Sequence, residues 1–146
     1  MDANVMTFES ITEHFGTCGL RASAVKRYLD AGGEVNRRDL SMGWTLLHFA
    51  AENRDHEIVR LLASHGADLN SADRNGWTPL HIAADSDLDT SRHGGRPSTD
   101  LPTVRLLIKL GADETARTAD GLTARDIARD YGQEALYNLV SRSLGN

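Results

Sequence analysis

The chain has 146 residues, 40% hydrophobic and 25% charged, which fits about one ordinary soluble domain. Its formal net charge of −5 argues against a nucleic-acid binder, which needs a basic footprint. No run of 18 apolar residues offers a membrane span, no secretory signal is seen at the start, and the single Cys18 excludes an internal disulfide, so a cytoplasmic setting is expected.

Taken in chain order, Phe8-Glu9-Ser10-Ile11-Thr12-Glu13-His14-Phe15 predicts a short first helix, and the stretch from Ala24 predicts a second that ends at Gly32. Gly43-Trp44-Thr45-Leu46-Leu47-His48-Phe49-Ala50-Ala51 then returns as Gly76-Trp77-Thr78-Pro79-Leu80-His81-Ile82-Ala83-Ala84, 33 positions on. The segments that follow also echo: Ile58 to Asp68 matches Thr103 to Asp113, and Ala24 to Asn36 aligns with Ile58 to Asn70. A fixed period of this size marks stacked supersecondary units rather than one globular core. Four units result within a single domain over 1–146, at roughly 5–38, 39–72, 73–117 and 118–146.

Each unit is expected to hold two antiparallel helices and a turn. Thr45, Thr78 and Thr123 sit where a helix begins, and their hydroxyls can cap free backbone N–H groups. Pro79 falls in a first turn, where no hydrogen bond is lost. Gly32, Gly66 and Gly111 occupy the left-handed position that ends a helix. Leu61, Leu62, Leu106 and Leu107 are expected on the buried faces of the second helices, and the segments around Arg37–Gly43, Ser71–Gly76 and Arg117–Gly121 are expected to project as turns. The first unit is degenerate, and the fourth places Arg125 where the third has Leu80; both departures suit units at the ends of a stack. The third unit is longer. His48 to Val59 spans 11 positions and His81 to Val104 spans 23. The 12 extra residues lie within Asp85–Asp100, rich in Gly, Pro, Ser and Asp, and predict a loop with almost nothing to bury.

The Thr-Pro-Leu-His-x-Ala core of residues 78–83 resembles the ankyrin repeat, and the resemblance covers about residues 20–140. It is to a small standalone member of the family, with a bacterial source as one expectation. It implies an all-α solenoid of about four helix-turn-helix repeats with a slightly concave face. It further implies protein–protein binding without catalysis; no cofactor, nucleic-acid or membrane partner is expected, and the chain is expected to be a monomer. Family geometry would put Met42, Arg74 and Asn75 on the projecting turns and Trp44 and Trp77 at their base. It would put Phe49, Glu52, Asn53, Ile82, Asp85 and Ser86 on the exposed side of the inner helices, and these eleven residues are the expected partner-binding set. The tryptophans carry two readings, an aromatic ladder that anchors a partner or indoles packed on neighbouring turns. Phe49 and Ile82 are likewise open between surface and core. Arg54 stands where the family has glycine, so Asn53 is expected to take the left-handed turn.

His48 and His81 have no companions at metal-ligand spacing, and the resemblance implies a structural role in which the ring nitrogens bond their own and the adjacent turn. Asp85-x-Asp87-x-Asp89 starts like a calcium loop, but Thr90 and Arg96 stand where the pattern needs Gly and Glu. His93-Gly94-Gly95-Arg96 lacks the phosphate-loop signature. Cys18 with His14 four residues before it could be drawn as a nucleophilic pair, but reads more simply as a free thiol. Three functions stay in view: an interaction module with a protein partner of unknown identity, a dedicated inhibitor such as an immunity protein or antitoxin that blocks one toxin enzyme, and an enzyme or metal protein built on the Asp/His-bearing insert. The lack of any chemical constellation favours the first.

Overall fold

The computed structural model describes residues 6–14, 22–89 and 100–144. These residues form eight helices with no strand among them. They are α1 (Phe8–His14), α2 (Ala22–Asp30), α3 (Leu46–Glu52), α4 (His56–Ser64), α5 (Pro79–Leu88), α6 (Pro102–Leu110), α7 (Ala124–Asp130) and α8 (Glu134–Leu144). Consecutive helices pair, and the pairs stack in two rows: α3, α5 and α7 pack in an inner row, and α2, α4, α6 and α8 in an outer one.

Local chemistry explains the starts and stops. Thr45, Thr78 and Thr123 stand in extended backbone before α3, α5 and α7. The N–H groups of Thr45 and Thr78 each donate over 3.1 Å to Nδ1 of His48 and His81, and Thr123 N–H donates over 2.9 Å to Asp126 Oδ2. This is a capping box in which His or Asp replaces the usual Glu. The outer helices α4 and α6 stop at Gly66 and Gly111, with φ of +83° and +109°. Between the rows, Leu46, Leu47, Ile58, Leu62, Leu80 and Leu107 are fully buried, each contributing about 2 kcal/mol of apolar burial. Leu61 is only half-buried. Buried Ala50, Ala51, Ala83 and Ala84 keep the inner helices close together.

Two expectations are corrected. Asn53 keeps an ordinary φ of −86°, and Arg54 takes the left-handed turn at φ +55°. That conformation costs a non-glycine residue about 1 kcal/mol. It aims the Arg54 Nε at Asp87 Oδ1, 3.1 Å away. The second correction concerns the insert. Asp85 to Leu88 is not loop: it extends α5 to 10 residues against 7 in α3, and Asp87 and Leu88 are each 1% exposed.

Asp87 explains the extension. Its Oδ2 accepts from Thr103 N–H at 2.9 Å and Val104 N–H at 3.0 Å, and its Oδ1 accepts from the Thr103 hydroxyl at 2.8 Å. One turn of extra helix therefore carries a cap to the start of α6. In α4 the equivalent cap is local, from Ile58 N–H to Asp55. Burial pushes the Asp87 carboxyl above the usual carboxylate range, against the pull of Val104, Thr103 and Arg54. Leu101, fully buried, enters α6 from φ +42°. Thr90, His93-Gly94-Gly95-Arg96, Phe15 and Cys18 lie outside the described residues.

Candidate functional site

The projecting turns share one plan. Asp39 Oδ1 accepts from Met42 N–H (3.2 Å) and Trp44 N–H (2.7 Å), and Asp73 Oδ1 accepts from Asn75 N–H (2.8 Å) and Trp77 N–H (2.9 Å). An aspartate that bonds backbone a few residues on is a self-contained turn former. Backbone closes each turn from Asp39 to Trp44, Asp73 to Trp77 and Thr118 to Leu122. Partial burial pushes the Asp39 carboxyl up, but the Ser41 hydroxyl and the N–H groups of Trp44, Met42 and Gly43 outweigh it and hold it below the usual range.

The turns are then bonded to one another. Arg74 N–H donates to Met42 O at 3.0 Å, and Ala119 N–H to Asn75 O at 2.9 Å. The Arg74 guanidinium donates to Leu40 O and Ser41 O at 2.6 and 2.8 Å. Gly76 sits at this seam with φ +77°, and a Cβ there would fall 2.6 Å from Ala119 N. Trp44 Nε1 donates to Asp73 Oδ2 at 2.9 Å, so one aspartate holds its own turn and the preceding indole.

The two histidines complete the stitching. Because Nδ1 accepts a threonine N–H, the ring proton lies on Nε2, which donates to the next turn: His48 to Trp77 O and His81 to Leu122 O, both at 2.9 Å. Burial lowers the pKa of both rings, against the pull of those carbonyls, so they are neutral. Among the described residues, no group of three or more His, Cys, Asp or Glu could hold a metal ion. No described helix is long and apolar enough to cross a membrane.

The expected contact residues divide on this frame. Met42 is 43% exposed, and Asn53, Arg74 and Asn75 are also exposed. Trp44, Phe49, Glu52, Trp77 and Asp85 are half-buried. The Trp44 indole stacks on His48 at 5.9 Å and meets Phe49 edge-on at 5.0 Å, and Trp77 packs 6.0 Å from His81. Asp85 accepts from the Tyr131 hydroxyl at 2.8 Å. Ile82 and Ser86 do not lie on the exposed side: they are 8% and 2% exposed. Helix α5 is packed by both α3 and α7, so its flanks are buried, and the Ser86 hydroxyl is taken up by the Glu52 carbonyl. Sequence reasoning missed Leu40, which is 91% exposed at the tip of the first described turn, and Tyr131, 41% exposed beside Asp85. The signal for Leu40 was present: an apolar residue inside a polar projecting turn has nothing to bury it.

A family model of ankyrin repeats matches residues 17–118 in three copies. The chain belongs to the ankyrin-repeat family. Over 85 residues it is 39% identical to mouse protein phosphatase 1 regulatory subunit 27, covering 58% of this chain and 47% of that protein. Human BCL-6 corepressor-like protein 1 is 35% identical over 65% of this chain and 5% of its own length. An ankyrin-repeat protein of fowlpox virus is 29% identical over 80% of this chain and 32% of its own length. The chain thus spans half or less of each of these relatives. They are animal and viral, and give a bacterial source no support.

Proposed function

We propose that this chain is a non-catalytic, monomeric, cytoplasmic module that binds a partner protein through its projecting turns and the adjoining inner-helix face. The observation that carries the reading is the Leu40–Met42 tip. It displays two apolar side chains, and the Arg74 guanidinium clamps the carbonyls of Leu40 and Ser41 from the next turn. An apolar anchor on a rigid support loses little entropy on binding. Arg74 and Asn75 flank it, and Asn53, Glu52, Asp85, Phe49, Trp44 and Trp77 continue the surface inward. Ile82 and Ser86 support it from beneath.

The relative named as a regulatory subunit of a phosphatase supports an enzyme as the partner. That keeps the second reading, a dedicated inhibitor of one enzyme. The test is affinity capture with the parent and with a Leu40→Asp, Met42→Asp double variant that melts at the same temperature. Loss of the captured protein from the variant is expected, and equal capture by both would reject the turn tips as the contact surface. A stoichiometric complex with one enzyme, whose activity falls on binding, would select the inhibitor reading.

A further inference from the structure

The outer row of helices carries a cavity whose lining shares no residue with the turn-tip surface. It measures about 350 Å³ and lies between α4 and α6. That volume is within the range of ligand-sized pockets. Helix periodicity brings two pairs of side chains to it: His56 and Arg60 stand four apart on α4, as do Arg105 and Lys109 on α6. Pro102, Leu106 and Leu110, again at intervals of four, supply an apolar wall. Asp100 is the one carboxylate among the described residues lining it, and it is paired with Arg105. Arg60 and Lys109 have no carboxylate partner among the described residues. On α4, Asp55 is spent on Ile58 N–H, and Glu57 does not line the cavity. Arg60, Arg105 and Lys109 against Asp100 leave a net charge of +2, in a chain whose total is −5.

His56 supplies an independent observation. The Thr103 hydroxyl donates its one proton to Asp87 Oδ1 at 2.8 Å, so in its 3.0 Å contact with His56 Nε2 the same oxygen accepts. The ring proton is thereby held on Nε2, and Nδ1 is left without a partner among the described residues. Thr103 is fully buried, so it fixes the ring at the edge of the cavity. An anion beside Nδ1 favours the imidazolium, and Nδ1 then donates as well. A third donor of set orientation thus joins the two unpaired cations.

We propose that this cavity binds a phosphotyrosine side chain of a partner protein, with Arg60, Lys109 and His56 Nδ1 on the phosphate and the aryl ring against Pro102, Leu106 and Leu110. A phosphate monoester carries a charge of about −1.5 to −2 at neutral pH, which complements the charge of the lining. Its three acceptor oxygens suit three donors that arrive from two helices. The apolar wall gives an aromatic ring a surface to bury, which a phosphoserine side chain lacks the area to use. The site stands apart from the turn-tip surface, so the Leu40→Asp, Met42→Asp variant leaves it intact.

The probe is an uncharged alanine peptide with one central phosphotyrosine and blocked ends, titrated into the isotope-labelled full chain and followed by two-dimensional NMR. Saturable shifts confined to α4 and α6 are expected, with His56 Nδ1 becoming protonated as the peptide binds. The same peptide without its phosphate is expected to bind at least about tenfold more weakly, and a phosphoserine version at least about threefold. Arg60→Gln and Lys109→Gln, both changes of exposed side chains, are each expected to weaken binding about fivefold or more at an unchanged melting temperature. Lys26→Gln, which removes a cation from α2, is expected to change it less than about twofold. Equal binding by parent, Arg60→Gln and Lys109→Gln would overturn the proposal, as would a Lys26→Gln loss as large as theirs or equal binding of the unphosphorylated peptide. A phosphoserine peptide that binds as tightly would overturn the part assigned to the apolar wall, and a His56 Nδ1 that stays unprotonated at saturation the part assigned to the ring.

Discussion

Replacing Asp87 by alanine should do more damage than any other change in the segment after the inner helix of the third unit. The carboxylate accepts from two backbone N–H groups and one hydroxyl at the start of α6, and also meets Arg54 Nε. Losing a helix cap costs about 1 kcal/mol, and losing the Thr103 hydroxyl's bond to the carboxylate costs about 1 kcal/mol more, since that hydroxyl keeps His56 Nε2 at 3.0 Å as a partner. Arg54 is left holding a left-handed backbone without its partner, but its side chain reaches water and adds little. The sum is about 2 kcal/mol, or a fall in melting temperature of roughly 4–8 °C for a chain of this size. Asp87→Asn keeps the shape but only one accepting oxygen, and should fall about midway. Asp55→Ala, which removes a single local cap, should cost about 1 kcal/mol. Thermal melts followed by far-ultraviolet circular dichroism order the three. An Asp87→Ala protein that melts no lower than Asp55→Ala would refute the claim that this residue carries the cap of α6.

Acid should weaken the stack through its histidines. Burial depresses the His48 and His81 pKa values in the fold, so the unfolded chain binds more protons; stability is complete above about pH 6.5 and falls as pH drops through the folded values, by up to about 1.4 kcal/mol per pH unit per ring. Urea melts from pH 7.5 down to 5 should show that slope, and a flat profile would contradict the buried neutral rings. Trp44→Phe keeps an aromatic ring over His48 but deletes the indole bond to Asp73, and should cost about 1 kcal/mol by the same melts; no loss would mean the 2.9 Å contact does not bind the turns together. Gly76→Ala meets both a left-handed backbone and the Ala119 nitrogen, and should cost about 2 kcal/mol or more, with faster amide exchange at Ala119; unchanged exchange there would remove the seam argument.

The repeat, the inner-helix starts and the glycine stops of α4 and α6 were legible in the sequence, because each cap or stop depends on residues within one turn of one another. Thr78, Pro79 and His81 carry a cap in four positions, and Gly66 and Gly111 end helices by their own backbone freedom. The family followed from the same local words repeated at a fixed spacing. What stayed hidden were the decisions made between units. Asp87 looked like part of an acidic loop because its partners at Thr103 and Val104 lie 16 and 17 positions on. Arg54 looked like a poor left-handed residue because the carboxylate that repays it is 33 positions away. Ile82 and Ser86 looked exposed on a single helix and are buried because α5 has neighbours on both sides. Leu40 gained its meaning the opposite way, from what the stack fails to cover. Local backbone chemistry sets each helix and turn, but burial and long-range pairing exist only once the units are stacked, so which side chains stay exposed was decided by the tertiary structure.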